Sequence, residues 1–453
     1  KDWDEIAFNA PNYLIFKSAG NDRGSKLPAG VSIHYVFDGS LGDWVESSTS
    51  RAEVGQYDCI SGSGLAKNVM TVGAVNPINA GYSQSSDVVM SSFSGWGPTD
   101  DGRIKPDIVA NGVNVFSALS GSDNAYGSYN GTSMATPNAA GSALLLQQLY
   151  KEKYGVFMRS ASLKGLIIHN ADEAGNNEGP DYRFGWGLMN TEKSAVHLLN
   201  LDSLSLLKEN YLAKNDTDEI IVYSDGLSPL KASIVWTDPA SFPRNPALDD
   251  RTAHLINDLD IRIISVDNSN TFLPWKLDPN NPTAAATRAD NNVDNVEQVL
   301  INNPSAGFYK IRISHKSGLT GNGQNYSLLV SGISAGLEAR ISGLTSGCKN
   351  TDIAFKDESF GGPVNFDWYS EFAIIPIKSG KNISYKFSDT GLFEIRLIAS
   401  NASGSVKDTT YHQIRINDLP EVELTSPMDS VCKNADPFNM VGIPSGGVFE
   451  LAG

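Results

Sequence analysis

The apolar positions of this 453-residue chain change their period near residue 200. Before that point, short continuous apolar runs alternate with helical stretches. Tyr13-Leu14-Ile15-Phe16 and Ala66 to Val75 have the unbroken apolar character of strands buried on both faces of a parallel sheet. The first opens into Ser18-Ala19-Gly20-Asn21-Asp22, a loop at the end of a strand, where α/β folds place ligands. The small-residue string Asn130 to Gly141 leads into the apolar run Ser142 to Tyr150, which predicts a tight turn followed by a helix. Ser160 to Ile168 predicts a second, amphipathic helix, and Thr191 to about Leu199 a short third one. Beyond Leu201 the alternation has period two: Glu219 to Tyr223, Ala232 to Trp236, Ile261 to Ile264, Tyr309 to Ile313 and Tyr326 to Val330 predict an antiparallel sandwich or jelly roll ending near Gly332. The expected fold class is a parallel sheet with helices on both faces, followed by all-β domains.

A further module is expected from about Ala335, with strands around Phe366-Asp367-Trp368-Tyr369, Ile383 to Phe387 and Gly391 to Leu397, and a turn at Asn401 to Ser405. Asp418-Leu419-Pro420 is the predicted linker to another unit. Cys348-Lys349-Asn350 recurs as Cys432-Lys433-Asn434, one repeat length further on. The expected domains are therefore 1–200, 201–334, 335–420 and a truncated repeat over 421–453.

Charge and cysteine content narrow the function classes. A formal net charge of −16 and a pI near 4.8 argue against nucleic acid and anionic membrane surfaces as partners. No run is long and apolar enough to span a membrane. Three cysteines in so long a chain exclude a disulfide-built scaffold. Cys59 has no thiolate-activating neighbours in sequence and is expected to be a small packed residue. Lys1 is no natural start, so the chain is expected to begin within a larger protein.

The candidate chemistry lies in Gly131-Thr132-Ser133-Met134-Ala135-Thr136-Pro137. Gly131 permits a tight turn, Thr132 or Ser133 can cap the helix, and Pro137 is expected near its first turn. Ser133 then lies at a helix N-terminus, where free N–H groups and the helix dipole favour developing negative charge. A lone capped helix would need no more explanation, but this whole string resembles the nucleophile signature of the subtilases, the subtilisin-like serine proteases. Phe93 to Thr99, Asp100 to Ile108 and Gly179 to Gly187 resemble core blocks of the same family, in the expected order. Asn111 and Asn138 depart from it, standing where the family usually has proline and histidine. The resemblance implies an α/β subtilisin-like domain, incomplete at its N-terminus, with Ser133 as nucleophile and Asn21 as the side-chain oxyanion donor. It also implies that Ser18, Ala19 and Gly20 form a wall of the substrate pocket. The sequon Asn130-Gly131-Thr132 is taken as a chance match, since a sugar there would block the site.

A serine needs a histidine to take its proton and a carboxylate to orient that histidine. In the family both precede the oxyanion asparagine, and here only Asp2 and Asp4 do so, without a histidine. His34, His169, His197, His254, His315 and His412 all follow Asn21 and are expected to be structural or at the surface. The histidine and aspartate are thus expected upstream, either on a separate N-terminal fragment of a nicked protease that stays docked or on a piece removed by truncation.

The β segments resemble the barrel domain that follows the catalytic domain in certain alkaline subtilases, at Asn257-Asp258-Leu259-Asp260 and Asn292 to Glu297. From Ala335 they resemble polycystic-kidney-disease-type immunoglobulin-like repeats. Alternation puts Asp258 and Asp260 on one face, where two carboxylates repel unless a positive charge lies between them. Asp258, Asp260, Asp294 and Glu297 are the expected ligands of a structural calcium ion. The expected function is a secreted or cell-surface bacterial serine endopeptidase acting on protein or peptide substrates. The alternatives are a binding or adhesion protein with an inert protease-like scaffold, and a protease directed by repeats that bind insoluble protein or glycan.

Overall fold

The computed structural model describes every residue except 28, 39–40, 50–54, 61, 202, 225, 244–249, 267–268, 317, 335–336, 360–362, 364, 371–372, 401–406, 420, 422, 426–429, 431, 438, 440 and 444–453. The chain divides into two units, Lys1–Ala335 and Gly336–Gly453.

The first unit opens with helix α1 (Asp2–Asn9) and strand β1 (Phe16–Ser18), followed by a hairpin of β2 (His34–Asp38) and β3 (Asp43–Ser47). Strands β4 (Met70–Val75) and β5 (Ile108–Asn111) complete a parallel sheet in the order β1-β4-β5, in register at Phe16↔Met70 and Val72↔Ile108. Every residue of β4 is buried, as its unbroken apolar run requires. A second hairpin, β6 (Val115–Ala118) and β7 (Tyr126–Tyr129), leads directly into helix α2 (Thr132–Tyr154). Ala135, Ala139 and Ala143 line one face of α2 and let it pack closely on the sheet, with Leu146 completing the stripe. Gly112 marks the tightest approach: a Cβ there would stand 2.6 Å from the Ala74 methyl and 2.7 Å from the Gly131 carbonyl oxygen.

Helices α3 (Ser160–His169) and α4 (Thr191–Leu199) follow. The expected amphipathic character of α3 is not what the structure shows, because every one of its residues is buried. The second face is covered by the β segment, and Leu163, Leu166 and Ile167 share a core with Val235, Val296 and Leu329. Its one lysine is satisfied inside: Lys164 Nζ donates to the Lys67 and Val69 carbonyls, each at 3.0 Å, and pairs with Asp107 at 2.9 Å.

That β segment is a sandwich built from β8 (Ser205–Ala213), β9 (Asp218–Ser224), β10 (Leu230–Val235), β11 (Leu259–Ser265), β12 (Thr271–Phe272), β13 (Trp275–Lys276), β14 (Thr287–Arg288), β15 (Val296–Ile301), β16 (Gly307–His315) and β17 (Gly323–Ser331). Its two four-stranded sheets run β15-β10-β17-β8 and β12-β11-β16-β9, and all of their pairings are antiparallel. The period-two runs fall within β9, β10, β11, β16 and β17, with the last residue of one run, Trp236, just past β10. The expected boundary at residue 200 lies inside the first unit, since the α/β and β segments are joined by polar bonds as well as by a common core. Lys67 Nζ meets Asp238 at 2.5 Å with both side chains buried, and Asn295 Nδ2 donates to Asn68 Oδ1 at 3.1 Å.

The second unit has a three-stranded sheet and a five-stranded one around Phe355, Trp368, Leu397 and Ile414. Trp368 is buried and donates its indole N–H to the Gly380 carbonyl at 2.8 Å. The predicted turn at Asn401 to Ser405 and Pro420 of the predicted linker lie outside the described residues. So does the end of the truncated repeat, whose described residues contribute one strand pair, Glu423–Thr425 with Val441–Ile443. Among the described residues no helix is long and apolar enough to cross a membrane.

Candidate active site

Asn21 stands at the end of the loop that leaves β1, and Ser133 in the first turn of α2. The two meet through Thr132. Asn21 Oδ1 accepts from the Thr132 backbone N–H at 2.9 Å and from its hydroxyl at 2.8 Å. A backbone N–H can only donate, so the carboxamide oxygen must face Thr132 and Nδ2 must point the other way. Gly131, at φ 155° and ψ 157°, is the residue before α2. A Cβ on it would stand 3.3 Å from Asn21 Nδ2 and 3.6 Å from the Ser133 amide nitrogen. The absence of that atom leaves a hollow flanked by two N–H donors. The Ser133 N–H lies in the first turn, ahead of the Met134 and Ala135 amides that bond the Gly131 carbonyl.

Two details of the helix start differ from expectation. The capping position is Gly131, which has no side chain to cap with, because the helix already includes Thr132 and Ser133; the Thr132 hydroxyl bonds Asn21 instead and the Ser133 side chain is exposed. Pro137 is inside the helix rather than at its first turn, since α2 begins as early as Thr132. Lacking an N–H, it leaves the Ser133 carbonyl without its ordinary helical donor.

Ser133 lines a cleft of about 580 Å³ together with Val115, Phe116, Leu119, Met134 and Pro137. Among the described residues no histidine or carboxylate lines this cleft. His169 is fully buried between the Ser233 and Ser331 hydroxyls at 2.8 and 2.9 Å. His197 packs edge-on against it and bonds the Leu206 carbonyl at 3.0 Å. His254 Nδ1 lies 3.0 Å from the Ser241 hydroxyl, His315 accepts from the Asn215 N–H at 2.9 Å and His412 bonds the Leu344 carbonyl at 3.0 Å. His34 begins β2.

Ser18, Ala19 and Gly20 run beside the Ser94-Gly95 segment, where the Gly95 N–H donates to the Gly20 carbonyl at 2.9 Å. Ala19 is buried, and Ser18 and Gly20 are half-buried. Cys59 is buried, and its sulfur accepts from the Trp96 N–H at 3.1 Å.

The four residues expected to hold calcium do not assemble as one donor set. Asp294 accepts from the Ile104 N–H at 2.9 Å and from Asn291 Nδ2 at 2.8 Å, tying the sandwich to the α/β segment. Glu297 is buried in β15 and accepts from the Ile261 N–H at 2.8 Å; burial and then Asp260 hold its carboxyl well above the usual carboxylate range. Asp258 and Asp260 do share a face, and the positive charge between them belongs to the chain: Lys316 Nζ lies 3.0 Å from Asp260, 3.7 Å from Asp290 and 4.0 Å from Asp258. Arg262 pairs with Asp260 and Asp290 from the other side. Burial pushes Asp258 up to about 6, with Lys316 opposing the rise. Among the described residues no three acidic, histidine or cysteine side chains converge on a metal-sized position.

Sequence reasoning named Ser133 and Asn21 as candidates, which the structure brings together through Thr132, but it did not name Thr132 as the clamp on Asn21 or Gly131 as the residue whose missing side chain opens the hollow. It also missed the β6–β7 hairpin that walls the cleft. The clamp links positions 111 apart, and nothing local in the sequence records it.

Residues 3–187 match the family model described as the subtilase family and form a subtilase family domain. The chain is 25% identical over 342 residues to the serine protease/ABC transporter B family protein tagA of Dictyostelium discoideum, covering 68% of this chain and 18% of that protein. It is 34% identical over 147 residues to the serine protease AprX of Bacillus subtilis (strain 168), covering 30% of this chain and 31% of that protein. The chain thus spans less than a third of the length of either relative. Among solved structures, the prenylagaramide maturation protease PagA aligns at 22% identity with a TM-score of 0.28, over 41% of this chain and 50% of that one.

Proposed function

We propose that this chain carries the nucleophile and oxyanion half of a serine endopeptidase. Ser133 Oγ attacks the carbonyl carbon of a peptide bond, and the oxygen that becomes negative enters the hollow beside Gly131. Asn21 Nδ2 and the Ser133 N–H donate to it there. Collapse of the tetrahedral intermediate expels the amine and leaves an acyl group on Ser133, which water then removes. The proton passes through a histidine paired with an aspartate, and among the described residues neither type lines the cleft. That imidazole is to be sought on an N-terminal part of the same protease. Ser18 to Gly20 form one wall of the pocket for the substrate side chain before the scissile bond. The protein is secreted or displayed at a bacterial surface, with the second unit a spacer of the polycystic-kidney-disease type.

The observation that carries this reading is the orientation of Asn21. A loop asparagine is usually a turn former, yet here Thr132 holds both bonds to the carboxamide oxygen and frees the N–H₂ to face the hollow. Treating the isolated material with a fluorophosphonate probe, mapping the labelled residue and identifying every N-terminus tests it. Labelling at Ser133, with a co-purifying fragment containing histidine and aspartate, is expected.

One observation favours a second reading. Among the described residues no histidine or carboxylate lines the cleft beside Ser133, as would also be so in a scaffold with no catalytic role. Unlabelled Ser133 in material that contains the upstream fragment supports that alternative, a binding or adhesion protein.

A further inference from the structure

Three strands form the middle of the five-stranded sheet in the second unit: Asn365–Ser370, Gly391–Ser400 and Lys407–Asn417. Trp368, Leu397 and Ile414 turn one face of these strands into the core, so the alternate residues turn to the other face. Register places Tyr369, Arg396 and Tyr411 in one row across that outer face. Glu394 and Gln413 form the neighbouring cross-strand pair on the same side.

The row is a flat, polar platform. Tyr411 is 58% exposed, and the Arg396 guanidinium lies over the Tyr369 ring at 4.3 Å. The two tyrosines are two strand spacings apart, about 9.5 Å. Little of the hydrogen-bonding capacity of this surface is used. Among the described residues the Arg396 guanidinium makes one bond, from Nη2 to the Ala373 carbonyl at 3.3 Å. The two tyrosine hydroxyls, the Glu394 carboxylate and the Gln413 carboxamide have no partner among the described residues. Charges of both signs are interspersed, with Arg396, Lys407 and Arg415 set among Asp367 and Glu394.

We infer that this face binds a neutral, β-linked polysaccharide, which gives the second unit a task besides spacing. A pyranose stacks its C–H face on the Tyr411 ring and on the Arg396–Tyr369 pair. The separation of those two surfaces is about that of alternate rings in an extended β-linked chain. Sugar hydroxyls donate and accept at once, which suits a mixed set of unspent donors and acceptors. A proline-rich peptide offers carbonyls but few N–H groups, and leaves Glu394 and the Gln413 oxygen unpaired. A peptide that adds as a strand needs a free backbone edge, and the strand of Arg396 is paired on both sides at this row. A polyanion needs a basic field of one sign, which the interspersed carboxylates deny it.

The test is isothermal titration calorimetry of the whole protein with cellohexaose and with chitohexaose, and with decaproline as the peptide control. Binding of at least one hexaose and none of decaproline is expected, unchanged when salt is raised to about 0.3 M. Tyr411→Ala should weaken it roughly tenfold and Gln413→Ala roughly fivefold, while Tyr411→Phe keeps the ring and most of the affinity. Both residues are exposed, so the Tm of these variants should stay near that of the parent. Failure of both hexaoses to bind, or binding indifferent to Tyr411→Ala and Gln413→Ala together, overturns the site. Decaproline bound as tightly as either hexaose, and lost with Tyr411→Ala, overturns the glycan and assigns the row to a proline-rich peptide.

Discussion

Thr132 holds Asn21 by its backbone N–H and its hydroxyl at once, at 2.9 and 2.8 Å, although the two residues are 111 positions apart. The clamp fixes which end of the carboxamide faces the substrate. Asn21→Ala should lower turnover roughly 10²- to 10³-fold with little change in KM, the magnitude characteristic of losing one oxyanion donor in a subtilisin. Thr132→Val keeps the backbone donor and loses only the hydroxyl, so its loss should be nearer tenfold, on the order of 1 kcal/mol. Steady-state kinetics on a peptide substrate, in the presence of the full triad, separates the two.

Gly131→Ala should be worse for activity than for stability. The added methyl enters the hollow between Asn21 Nδ2 and the Ser133 N–H. The backbone conformation at this position also disfavours a side chain, at a cost of about 1–3 kcal/mol. Fluorophosphonate labelling should be abolished while circular dichroism still reports a folded protein with a lowered Tm. Labelling at the parent rate would contradict the placement of the hollow.

These two residues mark how far the sequence could be followed. Ser133 and Asn21 were legible because each sits in a string of local residues, and the parallel strands and sandwich strands because burial imposes a period. The rest depends on partners distant in sequence. The pattern of Ser160 to His169 contains polar positions that suggest a solvent face, yet Lys164 is buried because Asp107 and two carbonyls satisfy it. Asp258 and Asp260 share a face as alternation requires, but that the cation between them is Lys316 could not be read from either strand.

Lys316 should make the sandwich indifferent to calcium. Millimolar calcium chloride is expected to move the Tm of the parent no more than magnesium chloride does. Lys316→Met removes the internal cation from Asp258, Asp260 and Asp290, leaving Arg262 alone with three carboxylates, and should lower the Tm. A calcium-specific rise in the parent Tm, followed by differential scanning fluorimetry, would contradict this account of the cluster.

His169 and His197 should make the first unit acid-sensitive. Burial pushes His197 down to about 4 and His169 well below its ordinary value. Both are held neutral in the fold while the unfolded chain binds protons near pH 6.5, so their contribution is unchanged above that pH. It turns against the fold as pH falls from about 6.5 toward 4, by a few kcal/mol for His197. Buried carboxyls such as Asp294, raised to about 6 by burial, act in the opposite sense. The clean readout is therefore a difference. His197→Gln, which can still donate to the Leu206 carbonyl, should lose less Tm between pH 7 and pH 5 than the parent does.

The most direct measurement of the central claim is a crystal structure of the complete protease with a peptide boronic acid bound. The account predicts a boron–oxygen bond to Ser133, with one boronate oxygen in the hollow beside Gly131 and within hydrogen-bond distance of both Asn21 Nδ2 and the Ser133 N–H. A boronate attached to another residue, or attached to Ser133 with that oxygen turned away from Asn21, would contradict it.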